Sequence, residues 1–143
     1  MNQQIFTKKE IPEITRKILN QISKKEKATV VAFSGDLGTG KTTLIQSISN
    51  QLGIKDDLNS PTFVLIKFYG IEGDYNKLIH VDAYRLESSK ELIKLNWNEL
   101  LKSSNNLILI EWPEKVPEAI PEDAIWVKLE HVNEEIRKIE LVL

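Results

Sequence analysis

Residues Gly35-Asp36-Leu37-Gly38-Thr39-Gly40-Lys41-Thr42 satisfy G-x-x-x-x-G-K-[ST] at every fixed position, and the chemistry of that pattern is the gripping of a nucleoside triphosphate by its phosphates. Consecutive main-chain N–H groups converge on phosphate oxygens only where the backbone curls tightly, and glycines at 35, 38 and 40 leave room for that curl. Lys41 adds a flexible point charge for the β- and γ-phosphates. The Thr42 hydroxyl is of the type that ligates Mg²⁺ beside them.

The flanking segments have the patterns needed to hold such a loop. Ala28 to Phe33 is short, β-branched and free of charge, as in a strand buried on both faces of a parallel sheet. From Lys41 onward, Leu44, Ile45, Ile48 and Leu52 fall on one face of a helix that Gly53 stops. The start of that helix aims free N–H groups and a positive dipole end at an anion.

A phosphate loop also requires an acid near the metal, supplied where a neighbouring strand reaches the carboxyl edge of the sheet. Two apolar runs end that way: Leu78-Ile79-His80-Val81-Asp82 and Leu107-Ile108-Leu109-Ile110-Glu111. Either carboxylate is able to hold Mg²⁺, directly or through water, or to orient the attacking water; spacing alone does not apportion these roles. His80 reads as a packed strand histidine, and Trp112 as a lid on the nucleotide pocket, as a stacking surface for a partner, or as ordinary packing beside Pro113.

The remaining elements follow from periodicity. Ile11, Ile14, Ile18 and Ile22 predict a helix over about residues 10–23, with Pro12 near its start and a short strand before it. Thr62 to Tyr69 and Lys77 to Tyr84 read as strands joined by a hairpin, and Ser88 to Leu101 as one or two short helices. Ile125, Val127 and Leu129, then Ile139, Leu141 and Leu143, alternate as in an antiparallel hairpin at a sheet edge. The 143 residues and 41% hydrophobic content suit one domain over residues 1–143.

With no cysteine, disulfides, thiolate metal sites and a cysteine nucleophile are excluded. A net charge of −2 gives no broad electrostatic footprint for nucleic acid, and Lys8, Lys9, Lys17, Lys24, Lys25 and Lys27 read as a solvated face. No apolar run approaches the length of a membrane span, so no membrane partner and a cytoplasmic location are expected.

Four stretches in order, Gly35 to Thr43, Ser60-Pro61-Thr62-Phe63, His80-Val-Asp-Ala-Tyr-Arg-Leu86 and Glu111-Trp-Pro-Glu114, resemble the TsaE (YjeE) family of bacterial ATPases over nearly the whole chain. The resemblance implies a single α/β P-loop NTPase domain, its central parallel sheet extended by antiparallel strands, with helices on both faces. It implies Mg²⁺ and ATP or ADP as cofactors, TsaB and TsaD as partners, and a role in threonylcarbamoyladenosine modification of tRNA, which is reached through that complex.

Transferred by motif, Gly38, Thr39, Gly40, Lys41, Thr42 and Thr43 would cradle the phosphates. Thr42 and Glu111 would lie near the metal with Asp82 as companion acid, Thr62 would face the γ-phosphate, and Trp112 would sit close to the nucleotide. Thr7 and Arg137, on the opening strand and the final hairpin, are implied contacts to the base. One departure is Leu95-Asn96-Trp97, where similar proteins usually have glycine; asparagine also tolerates the left-handed conformation.

Two other readings share the loop. A small-molecule kinase needs cations on the transferring group, commonly from a basic lid, yet arginine occurs only at positions 16, 85 and 137. A non-catalytic module that binds nucleotide to order a protein surface is the second. A GTPase is disfavoured, since Asn76-Lys77-Leu78-Ile79 lacks the acid of N-K-x-D.

Overall fold

Runs of valine, isoleucine and leucine form the buried centre of a mixed sheet in the computed structural model, which describes residues 2–55 and 65–143. The elements are β1 (Asn2–Phe6), α1 (Ile11–Asn20), β2 (Thr29–Ser34), α2 (Lys41–Gln51), β3 (Ile66–Gly70) and β4 (Lys77–Asp82), followed by α3 (Ser89–Ile93), α4 (Trp97–Lys102), β5 (Asn106–Glu111), β6 (Ile125–His131) and β7 (Arg137–Val142). Among the described residues the sheet has seven strands in the order β1-β7-β6-β2-β5-β4-β3.

The four strands β6, β2, β5 and β4 run parallel, while β3, β7 and β1 each pair antiparallel with their neighbours. Alternation sends Val31, Phe33, Leu78, Leu107 and Leu109 to one face, where Ile14 and Ile18 of α1 and Leu44, Ile45 and Ile48 of α2 cover them. Val30, Ala32, Ile79, Val81, Ile108 and Ile110 face the other way, onto Leu92 of α3 and Trp97 of α4. Helices therefore lie on both faces, as in an α/β P-loop fold.

Trp97 is fully buried, and its indole N–H donates to the Ala119 carbonyl at 2.9 Å, which satisfies the one polar atom of a large apolar side chain. Asn96 before it has φ +66° and makes the left-handed corner between α3 and α4 that its residue type permits.

Several sequence expectations differ from the structure, and among them the strand expected over Lys77 to Tyr84 ends at Asp82. The helix α1 ends at Asn20, and Ile22 packs on the core from outside it. The hairpin β6–β7 is not at the sheet edge: β6 pairs in parallel with β2, and β1 closes the sheet beyond β7. Leu143 falls outside β7 and is exposed, so it does not continue the alternation of Ile139 and Leu141. Of the strand expected over Thr62 to Tyr69, the described part begins at Ile66 with Leu65 outside it, and Thr62 to Val64 lie outside the described residues.

Candidate functional site

Parallel pairing brings several chain ends to one rim of the sheet. The β2–β5 register places Phe33 beside Glu111, and the β4–β5 register places Asp82 beside Glu111, so both acids end neighbouring strands next to the loop leaving β2. Leu78, His80 and Asp82 alternate onto the face covered by α2, as do Leu109 and Glu111. β6 reaches the same rim at His131 and β7 starts from it at Arg137. Phe6, opposite Arg137, brings the chain there again just before Thr7.

The loop is held closely against β6. Gly35 has φ +145°, and a Cβ there would lie 2.6 Å from the Leu129 carbonyl oxygen and 2.8 Å from Thr39 Oγ1. Only glycine admits that backbone and that approach. Buried Thr39 braces the turn by donating its hydroxyl to the Asp36 carbonyl at 2.8 Å. From outside, Arg137 donates to the Gly38 carbonyl at 3.4 Å and His131 Nε2 lies 3.3 Å from the Leu37 carbonyl oxygen. Gly40, at φ +103°, turns the chain into α2.

Lys41 is only 5% exposed. Its ammonium donates to the Gly35 carbonyl and lies 3.5 Å from the centroid of the Trp112 ring, a cation–π contact. Burial pushes the Lys41 pKa down, opposed by the charges of Glu114, Glu111, Asp36 and Asp82. Because burial prevails over those four carboxylates, the ammonium sits where further negative charge would stabilise it. Thr42 and Thr43 are exposed at the first turn of α2.

The Thr42 hydroxyl donates to Glu111 Oε1 at 2.9 Å, and the other carboxylate oxygen, Oε2, accepts from His80 Nε2 at 2.8 Å. Glu111 and His80 are 5% and 7% exposed, so both oxygens of a buried carboxylate are satisfied by side chains from two different elements. Asp82 is half-buried beside them, and its Oδ1 accepts from the Tyr84 N–H at 3.0 Å. With its proton given to Glu111, the Thr42 oxygen keeps lone pairs for a cation. Among the described residues no three His, Cys, Asp or Glu side chains form a metal cluster. A hydroxyl with one or two carboxylates matches Mg²⁺, which retains water and takes phosphate oxygens as its other ligands.

Trp112 holds φ +58°, rare for an aromatic residue and costing on the order of 1–3 kcal/mol. Fixed between Glu111 and Pro113, it carries its ring over Lys41 and to 5.0 Å from Tyr84. Strain of this kind concentrates at binding sites.

Of the residues singled out from sequence, Lys41, Thr42, Glu111 and Trp112 are brought into direct or shared contact, and Gly38, Thr39, Gly40, Thr43 and Asp82 lie around them. Arg137 is committed to main-chain carbonyls, at Asn133, Glu134 and Ile136 besides Gly38. Thr7 donates through its N–H and its hydroxyl to Glu10 Oε1, at the same rim just past the end of the far strand β1. Thr62, with Ser60, Pro61 and Phe63, lies outside the described residues. His80 is more than the packed histidine its sequence context implied. The signal available was parity: positions 80 and 82 share a strand face.

The family model for threonylcarbamoyl adenosine biosynthesis protein TsaE matches residues 7–139. The chain belongs to the TsaE family. A TsaE from Haemophilus influenzae, described as a tRNA threonylcarbamoyladenosine biosynthesis protein, is 36% identical over 82% of this chain and 72% of its own length. Another TsaE, from Streptomyces coelicolor, is 37% identical over 71% of this chain and 68% of its own. A crystal structure of Bacillus subtilus YdiB superimposes with a TM-score of 0.72 at 26% identity, covering 96% of this chain and 83% of that one. No helix among the described residues of this TsaE family member is long and apolar enough to cross a membrane.

Proposed function

We propose that this protein binds ATP with Mg²⁺ at the carboxyl rim of β2, β5 and β4 and hydrolyses it. The whole chain would act as one ATPase domain serving threonylcarbamoyladenosine modification of tRNA, together with TsaB and TsaD. The observation that carries the reading is the Thr42–Glu111 hydrogen bond, which ties the first turn after the phosphate loop to the end of the adjacent strand. That coupling is what a magnesium–triphosphate site requires, since hydroxyl and acid must approach one ion from two elements.

In this reading the main-chain amides of residues 38–43 and the Lys41 ammonium hold the phosphates, and Lys41 exchanges its bond to Gly35 for phosphate oxygens. Thr42 and Glu111 hold the metal, Glu111 through its hydrogen bond or a bound water, and Asp82 is the companion acid that orients the hydrolytic water. The metal supplies charge neutralisation on the β- and γ-phosphates. Trp112 covers the Lys41 side of the pocket. By family motif alone Thr62 is assigned to the γ-phosphate, and Thr7 and Arg137 would border the base on the β6–β7–β1 side. With arginine only at positions 16, 85 and 137 and no arginine-rich lid in the sequence, positive charge for the transition state would come in trans from the partner complex, which would make turnover partner-dependent. tRNA is reached through that complex, with no membrane involved, in the cytoplasm.

Support for the pathway comes from the family match and from the names of the relatives; support for the chemistry comes from the site. The test is phosphate release from ATP by the purified chain, alone and with TsaB and TsaD. Slow release alone and clear stimulation by the pair are expected, with Glu111→Ala losing hydrolysis far more than nucleotide affinity. Phosphate transfer to a metabolite, or full hydrolysis by Glu111→Ala, would overturn the assignment.

A further inference from the structure

His80 occupies the second position before Asp82 on β4, and the parallel register sets it opposite Leu109 on β5, so Glu111 is its diagonal neighbour on the same face. At 2.8 Å its Nε2 donates to Glu111 Oε2, with both side chains nearly excluded from water. The other oxygen is already taken by Thr42 at 2.9 Å. A carboxylate has two soft degrees of freedom, rotation about its terminal bond and swing of its stem, and one donor restrains only part of them. Two donors on opposite oxygens fix both. The imidazole thus determines which oxygen of Glu111 is presented to the first turn of α2.

We propose that His80 is a positioning residue for the metal, holding Glu111 Oε2 so that Oε1 stays aimed at Thr42 and at the cation beside it. This rests on the magnesium–nucleotide reading above and adds to it the partner that orients the acid. Groups one shell out from a metal commonly govern affinity by 10- to 100-fold through such orientation. If His80 were only filling space, an apolar side chain of similar volume would serve equally. If its role is the donated hydrogen bond, glutamine, whose amide nitrogen reaches about as far along the side chain as Nε2, should substitute.

The experiment measures ATP binding to the full chain by calorimetry at a series of Mg²⁺ concentrations and in EDTA, with Mn²⁺ paramagnetic resonance on the same proteins as the spectroscopic readout. For His80→Met, the concentration of Mg²⁺ needed to enhance ATP binding should rise at least 10-fold and the bound Mn²⁺ signal should weaken. Affinity for ATP in EDTA should stay within about 2-fold of the unmodified protein, because the phosphate loop is untouched. His80→Gln should recover the metal dependence to within about 3-fold. Should His80→Met lose its folded circular-dichroism spectrum, His80→Asn, whose amide is too short to reach, replaces it in the comparison with His80→Gln.

Metal dependence unchanged in a folded variant lacking the donor, or equal loss in the glutamine and apolar variants, overturns the positioning role. Absence of any Mg²⁺ effect in the unmodified protein is a different outcome: it removes the metal reading itself.

Discussion

Replacing Gly35 by alanine, set against the same replacement at Gly40, isolates the contact that confines the phosphate loop. Both residues have positive φ, +145° and +103°, so both substitutions carry backbone strain of roughly 1–3 kcal/mol. Both also reduce the freedom of the unfolded chain alike. They differ in what the new methyl meets. At Gly40 nothing lies within 4 Å, whereas at Gly35 the methyl would meet a β6 main-chain carbonyl oxygen at 2.6 Å. A carbonyl inside a sheet cannot swing aside, so the clash adds an overpacking cost of about 1–3 kcal/mol. For 143 residues each kcal/mol corresponds to about 3 °C in Tm, so Gly35→Ala should melt roughly 3–9 °C below Gly40→Ala. Calorimetric melting at one scan rate, with reversibility checked by rescanning, reads the difference directly. Equal Tm values, or a lower one for Gly40→Ala, would refute the close packing of the loop on β6.

Lys41→Met removes a buried ammonium whose pKa is pushed down chiefly by burial. Since the charged form is disfavoured in the fold, Tm without nucleotide should hold or rise while ATP affinity falls by more than 10-fold; a large loss of Tm would contradict this. Asn96→Ala forces φ +66° on a β-carbon without a compensating side chain and should cost about 1–2 kcal/mol in urea unfolding, whereas Asn96→Gly should be close to neutral. Burial raises the pKa of Tyr75 beyond the opposing effect of its 2.6 Å hydrogen bond with Thr29. A raised folded pKa means stability that is complete below about pH 10 and is lost as pH climbs through the higher folded value. Tyr75→Phe should flatten that alkaline decline in Tm and cost about 1 kcal/mol near neutrality.

The candidate site was legible in the sequence wherever local chemistry is demanding. A phosphate loop tolerates few residue types, and an acid ending an apolar run marks the carboxyl edge of a parallel strand, so Lys41, Thr42, Asp82 and Glu111 could be named before their neighbours were known. Partners set by long-range pairing could not. The His80–Glu111 bond depends on the β4–β5 register, and the pairing of β1 with β7 joins the two ends of the chain. β6 misled for a physical reason: Lys128 and Glu130 are exposed although the strand is internal, because its outer face is incompletely covered, and such alternation matches that of an edge strand. Arg137 and His131 likewise brace the loop through main-chain carbonyls, a contact that residue pattern alone could not supply, although the family resemblance implies Arg137 near the base.

Titration calorimetry decides whether this loop, with Thr42 and Glu111, binds ATP as its magnesium complex. Unmodified protein with Mg²⁺ should give a saturable one-site isotherm that weakens in EDTA and is lost in Lys41→Met. A folded, unmodified chain giving no heat with ATP and Mg²⁺ at several temperatures, or binding unaffected by Lys41→Met, would contradict it.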